Sequence, residues 1–180
     1  SVRIPMIVVD PSKTADATRG TASNALVEAI DLVPTFIEAS GGKVEQKRLE
    51  GRSLLPLLCN TSAPDDWREA AFSELDYGFR GARNTLQKEP NAALAWMVRT
   101  DRWKYIYYDG FPPQLFDLEN DPDEQNDLGT SARHATIREE KQDRLFTWLR
   151  RRRSRRTMSD EKVVQRTDQS QKTGFRIGEW

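Results

Sequence analysis

The sequence contains almost none of the residues that build disulfides and transition-metal sites. Its 180 residues include one cysteine, Cys59, and one histidine, His134. A single cysteine excludes an intrachain disulfide and fits a reducing compartment such as the cytoplasm. Zinc takes most of its ligands from cysteine and histidine, so we expect no zinc site. We interpret Cys59 as a small, at least half-buried thiol and His134 as a solvated residue at the start of the last helix.

Net charge and long apolar runs are also missing. Twenty-eight basic residues balance 28 acidic ones, which argues against a general attraction to nucleic acid or to membranes. No apolar run approaches the ~20 residues of a membrane span. The length fits one domain with a modest core. Because 31% of the residues are charged, we expect a polar part outside the core and place it at the C-terminal end.

The N-terminal residues have the pattern of a strand in a larger sheet. Ile4 to Val9 form an unbroken apolar run closed by Asp10 and Pro11, as in a strand covered on both faces. Such strands belong to α/β sheets, and the sequence offers this one no parallel partner. The first residue of the sequence is Ser rather than Met, and the apolar run follows almost at once. We therefore expect a piece cut from a longer protein.

A short helix is predicted from about 32 to 40. Asp31 is a plausible N-cap, Pro34 falls in the first turn, and Gly41 stands at the end. Its apolar face contains Val33, Phe36 and Ile37. The apolar stretch 51–58, between polar ones, is interpreted as a packing plug rather than as a helix or strand.

The central part of the sequence predicts a small antiparallel sheet. β-rich runs occur near 69–75, 94–100, 103–108 and 114–118, and residues 100–102 are a hairpin signal. Residues 131–152 then predict a helix with acids early and arginines late, as the helix dipole favours. The apolar face of this helix contains Ile137, Leu145, Trp148 and Leu149. We therefore predict an α+β fold, with about four antiparallel strands and a C-terminal helix.

Residues 114–128, QLFDLENDPDEQNDL, place six carboxylates behind a short apolar strand. A calcium loop needs Gly at its sixth position and a bidentate Glu at its twelfth. Pro122 and Leu128 occupy those positions, so a metal site is the minor alternative. We interpret the stretch as a turn that its carboxylates keep in water.

Six arginines in the stretch 150–156, RRRRSRR, are the strongest local charge. We interpret them as a solvated helix end or an intersubunit contact. Phosphate backbones and anionic lipids remain alternatives, although no aromatic residues interleave with the arginines as single-stranded nucleic acid would require. A stand-alone polyanion- or protein-binding module that uses Arg150–Arg156 is therefore the alternative function.

Several stretches together resemble the C-terminal part of sulfatases in the alkaline phosphatase superfamily. They follow in that family's order and rough spacing: RIPMIVVDP, DLVPTFIEASG, GRSLLPLL, MVRTDRWKYIYY and QLFDLENDPDEQNDL. ELDYGFRGAR and the C-terminal tail are most similar to the phosphonate monoester hydrolase branch. The resemblance covers essentially the whole chain. It implies that residues 1–62 end the α/β sulfatase core as an edge piece, that 63–153 form the antiparallel subdomain with its helix, and that 154–180 form an extended tail.

The resemblance implies a metal-dependent hydrolase of phosphonate, phosphate or sulfate esters. The full-length family uses a divalent metal and a formylglycine made in a C-x-P-x-R motif. Cys59 does not match this motif, because Thr61 and Ala63 replace its Pro and Arg. The family's other catalytic and metal residues would lie upstream of Ile4. We therefore expect no catalytic residue, metal ligand or cofactor here, and no activity from this fragment alone.

The stretch DYGFRGAR, residues 76–83, contains the candidate substrate-proximal residues. Arg80 or Arg83 could bind an anionic ester, and Tyr77 could stack on an aryl leaving group. A plain salt bridge is the alternative for each arginine. The expected partners are the missing catalytic part, a small anionic ester and a second copy held through the tail, with neither nucleic acid nor membrane.

Overall fold

The computed structural model describes residues 4–46, 48–78, 80–89 and 92–153. Across these ranges no helix has the length and apolar character needed to cross a membrane. The predicted tail, 154–180, and its contact with a second copy lie outside the described residues. The proposed division at residues 62 and 153 stays a prediction.

Four strands form one antiparallel sheet in sequence order: β1 (Ala71–Asp76), β2 (Leu94–Arg99), β3 (Trp103–Tyr108) and β4 (Gln114–Asp117). The predicted hairpin is confirmed, because Thr100 N donates to Trp103 O at 2.8 Å and closes the turn between β2 and β3. The predicted antiparallel sheet of four strands is thus confirmed.

The C-terminal helix α4 (Ala135–Arg153) packs on one face of the sheet. Alternation along the strands turns Val98 and Tyr105 to this face, where both are fully buried with Leu145 of α4. Phe72 and Trp148 stack there with ring centroids 4.8 Å apart. The predicted apolar face of the helix is confirmed, because its other residues, Ile137 and Leu149, pack against the same core.

A second, smaller cluster lies on the opposite face of the sheet. It contains buried Tyr77, Ala93 and Ala95, with Ile106 and Tyr108 packed against them. The short helix α3 (Gly81–Thr85) follows β1.

The prediction of a buried strand at Ile4 to Val9 was wrong. These residues form neither a helix nor a strand, and Ile7 is 90% exposed. A strand covered on both faces needs neighbours on both sides, and no described strand pairs with this run. The apolar pattern was read correctly, but the described residues contain nothing that covers it.

Two short helices follow, α1 (Leu32–Ala39) and α2 (Leu55–Cys59). The predicted helix at 32–40 is confirmed, but the side chain of Asp31 makes no capping bond to it. Its apolar face is open, with Val33 50% and Phe36 64% exposed. The stretch 51–58 was predicted to contain neither helix nor strand, and this was wrong, although Leu54 is buried as a packing plug should be.

A buried ion cluster ties these N-terminal segments to the sheet. Arg68, just before β1, bonds to Glu28 at 2.6 Å and also to Asp31, whose side chain is fully buried. Asp31 further accepts the Arg52 N–H at 2.8 Å, and Glu28 accepts the Phe72 N–H at 2.6 Å. Burial raises the pKa of Glu28, against the lowering by the Phe72 N–H and Arg68. The predicted cap residue Asp31 is therefore a buried tertiary contact.

Candidate functional site

A groove of about 560 Å³ opens where β1 ends, beside α3 and the connection from β3 to β4. Its walls are mostly apolar. The described lining residues are Leu75, Tyr77, Arg80, Ala82, Leu86, Tyr108, Phe111, Pro112, Pro113, Gln114, Asp127 and Thr130. The groove therefore contains two of the three candidate substrate-proximal residues, Tyr77 and Arg80.

Tyr77 is fixed at the base of the groove by the end of the sheet. Its backbone N–H donates to Ala93 O at 2.9 Å, and only 7% of the residue is exposed. Its hydroxyl is buried and has no hydrogen-bond partner among the described residues.

Arg80 stands at the rim of the groove. Its backbone N–H donates to Tyr77 O at 2.9 Å, which places it one tight turn beyond the strand and directly before α3. The residue is exposed, and its guanidinium makes no hydrogen bond or ion pair with any residue that the structure describes. The salt bridge considered for Arg80 does not form within the described ranges.

Arg83 has a different environment. Its Nε donates to Gly78 O at 2.8 Å and its Nη1 to Lys88 O at 3.0 Å. The guanidinium thus holds the two ends of the α3 segment together, and Arg83 does not line the groove. This bridge to backbone carbonyls is neither the substrate contact nor the salt bridge that the sequence suggested.

The opposite wall comes from the end of β3, the start of β4 and the residues between them, to which the sequence analysis assigned no functional role. Tyr108 Oη donates to Gln114 Oε1 at 2.8 Å, and burial, aided by nearby Asp127 and Tyr77, raises the pKa of Tyr108. Phe111 is followed by Pro112 and Pro113, which complete the wall. The available signal was an aromatic residue next to two prolines in a turn.

The acidic stretch forms a turn, as predicted, and several of its carboxylates also make structural contacts. Asp117 is 8% exposed and pairs with Arg102. Glu124 pairs with Lys104. Asp127 Oδ1 accepts the N–H groups of Leu115, at 3.1 Å, and Gly129, at 2.8 Å. The carboxylates satisfy donors of the sheet and of the turn itself.

The described residues do not fit a metal centre. Within the described ranges no three His, Cys, Asp or Glu side chains group as metal ligands. Cys59 is half-buried and free, as expected, with Sγ 3.7 Å from Thr14 Oγ1. The nitrogen Nδ1 of His134 hydrogen-bonds with Ser131 Oγ at 2.9 Å. No chemical step through a metal or a formylglycine can be assigned to these side chains.

The arginine cluster is only partly described. Residues 150–153 end α4, and 154–156 lie outside the described residues. Arg152 pairs with Glu74 of β1 at 2.8 Å and lies 5.3 Å from the ring centroid of Trp148. At least this arginine serves the packing of α4 on the sheet.

Comparison with known proteins identifies the family. The family model described as N-sulphoglucosamine sulphohydrolase, C-terminal, matches residues 1–151. The multifunctional alkaline phosphatase superfamily protein PehA of Trinickia caryophylli is 28% identical, over 82% of this chain and 29% of its own length. Arylsulfatase K of Rattus norvegicus is 35% identical, over 72% of this chain and 22% of its own length.

A solved structure agrees with these sequence matches. The phosphonate monoester hydrolase from Silicibacter pomeroyi is 28% identical with a TM-score of 0.65, covering 78% of this chain and 28% of that one. The chain spans less than a third of the length of each of these three relatives. The chain therefore belongs to the sulfatase family of the alkaline phosphatase superfamily and corresponds to the C-terminal region of its members.

Proposed function

We propose that this chain is the C-terminal part of a metal-dependent hydrolase of phosphonate, phosphate or sulfate esters. The observation that carries the proposal is the family match over residues 1–151, in a chain that spans 29% and 22% of the two curated relatives named above. The nucleophile, the metal ligands and the formylglycine belong, in this proposal, to sequence upstream of Ile4. A cytoplasmic setting is part of it, because the one cysteine calls for no oxidising compartment.

An open apolar surface supports an upstream partner. It comprises Ile4, Ile7, Val9, Val33 and Phe36, each at least half exposed. Large apolar side chains exposed in this number are typical of a chain that packs against further protein. In the proposed whole protein, the upstream residues cover these side chains.

The role proposed for the described part is to support the active-site cleft and shape its specificity. Arg80 would bind the anionic ester, because its guanidinium is exposed and has no partner among the described residues. Tyr77 would form the base of the site. Arg83 would hold α3 so that Arg80 stays at the rim.

The first test is the intact mass of the native protein, isolated from its source. A mass far above 20.7 kDa, together with hydrolysis of phenyl esters of methylphosphonate or sulfate, would support the proposal. Arg80→Glu in that protein should raise KM for anionic esters several-fold, and unchanged kinetics would remove Arg80 from the site. A mass near 20.7 kDa, with salt-sensitive polyanion binding lost on neutralising residues 150–156, would instead favour the binding module.

A further inference from the structure

Lys88 joins the two walls of the groove. It follows α3, on the wall that carries Arg80, and its side chain reaches the connection from β3 to β4 on the other wall. There Nζ donates to Asp109 O at 2.8 Å and lies 4.5 Å from the ring centroid of Phe111. A hydrogen bond from an ammonium group and a cation–π contact each stabilise such an arrangement modestly. Together they link two segments that do not pair as strands.

The backbone at both ends of this link is shaped for close approach. Lys88 N donates to Arg83 O at 3.0 Å, and Lys88 O accepts Arg83 Nη1 at 3.0 Å. Gln87, directly before it, has a φ of 51°, which is uncommon for a residue other than glycine. On the opposite wall Gly110 has a φ of 74°, and a Cβ there would lie 2.6 Å from Lys88 Nζ. The lysine therefore reaches across through a path that the backbone keeps open.

The link extends to the rim of the groove. Arg83, which binds the backbone of Lys88, also donates from Nε to Gly78 O at 2.8 Å. A continuous series of contacts thus runs from Phe111 through Lys88 and Arg83 to the turn that presents Arg80. Phe111 and Arg80 line the groove, whereas Lys88 does not. The separation of the two walls depends on a cation outside the groove.

We infer that Lys88 is a positioning residue, which holds the walls carrying Arg80 and Phe111 at a fixed separation and so sets the affinity of the groove for an anionic ester. The role in ester binding rests on the proposed function, whereas the hold on the walls does not. Because Lys88 acts through other residues, it affects binding of the ester and not the chemical step.

The hold on the walls is tested by amide hydrogen exchange in the 180-residue chain. The reporters are the N–H of Phe111, which donates to Tyr108 O, and the N–H of Arg80, which donates to Tyr77 O. Lys88→Met removes the ammonium group and should speed exchange at both reporters about three- to tenfold. Lys88→Arg should restore protection, because a guanidinium also donates and stacks on rings. Unchanged exchange in Lys88→Met would overturn the inference.

The role in binding is tested by kinetics of the longer native protein with phenyl sulfate and phenyl methylphosphonate. Lys88→Met should raise KM about three- to tenfold and leave kcat within about twofold, because only binding is weakened. Lys88→Arg should stay close to the parent. A lower kcat with unchanged KM would contradict a positioning role.

A lost charge also weakens the long-range attraction of an anion, so the same kinetics are repeated at about 1 M salt, where the Debye length is about 3 Å. The rise in KM for Lys88→Met should persist there. A rise that disappears at high salt would show attraction instead of positioning, and it would overturn the inference.

The matched control is Lys43→Met, since Lys43 is an exposed lysine that does not line the groove. It should change neither the exchange nor KM. Hydrolysis with an unchanged KM in Lys88→Met would overturn the role in ester binding and leave the hydrolase standing. Absence of hydrolysis by the native parent would overturn the proposed function and the role in ester binding with it, and the exchange result would still decide whether Lys88 holds the walls.

Discussion

Arg102 binds Asp117 through two hydrogen bonds, from Nε to Oδ1 at 3.0 Å and from Nη2 to Oδ2 at 2.8 Å. The pair joins the turn before β3 to the end of β4, and Leu118 N donates to Arg102 O at 2.7 Å beside it. The hydrogen bonds from Arg102 lower the pKa of Asp117 from 3.8 to about 2. The first acid of the acidic stretch is thus a clamp between neighbouring strands.

Replacing the carboxylate of Asp117 should reduce the loss in the free energy of unfolding that occurs as the pH falls. The folded state holds Asp117 charged between pH 3.8 and about 2, where the unfolded chain takes up a proton. Its stabilisation is therefore complete above this window and is lost as the pH falls through it. Asp117→Asn should lower the free energy of unfolding at pH 7 by about 1 kcal/mol, because Arg102 is half exposed and the pair is screened. Below pH 2 the difference should vanish.

Urea denaturation at pH 7, 4 and 2 measures this effect. Asp123→Asn is the matched control, since Asp123 is an exposed acid of the same stretch. A loss for Asp117→Asn that is equal at all three pH values would contradict the assignment.

The sheet could be predicted from sequence because its signals are local. Alternation along 94–99 and 103–108 and the turn between them need no distant information. Asp117 and Asp31 could not be predicted in their roles, since their partners Arg102 and Arg68 stand 15 and 37 residues away. The stretch 76–83 contains Tyr77 and Arg80, which both line the groove, and their contact with a substrate stays a prediction. The opposite wall of the groove could not be predicted, because Phe111 lies between β3 and β4 and reaches the groove only through the pairing of the strands.

The cluster around Arg68 should be one of the most sensitive points of the chain. Its guanidinium neutralises the partly buried Glu28 and the fully buried Asp31, so Arg68→Met leaves both acids without their cation. We expect a loss of about 3–5 kcal/mol in the free energy of unfolding. Arg68→Lys keeps the positive charge but cannot contact both acids through two separate nitrogens. It should lower the free energy of unfolding by about 1–3 kcal/mol.

Chemical denaturation of both variants beside Arg48→Met, which changes an exposed arginine, measures these losses. Equal stability of Arg68→Lys and the parent chain would show that the simultaneous contacts of the guanidinium with Glu28 and Asp31 contribute nothing.

Gly129 supports the groove wall by close backbone approach. A Cβ at this position would lie 1.9 Å from Pro113 O, whereas at Gly81, the first residue of α3, nothing lies within 4 Å. Gly129→Ala should therefore destabilise the chain by about 2 kcal/mol or more. Gly81→Ala should be neutral or stabilising by about 0.5 kcal/mol, because it reduces the freedom of the unfolded chain. Thermal melts of the two variants decide the matter, and similar shifts would argue against a tight Pro113 wall.

Phe36 tests whether the open apolar surface is covered in the native protein. It is 64% exposed, so Phe36→Ala should change the stability of the 180-residue chain by less than about 1 kcal/mol. If upstream sequence packs over α1, the same substitution in the longer native protein removes a buried ring and should cost about 3 kcal/mol or more.

Glu38→Ala, an exposed change on the same helix, should have a small effect in both. Denaturation midpoints of the paired variants give the comparison. A small cost for Phe36→Ala in both proteins would mean that this surface faces water in each, and the covering role assigned to the upstream residues would be lost.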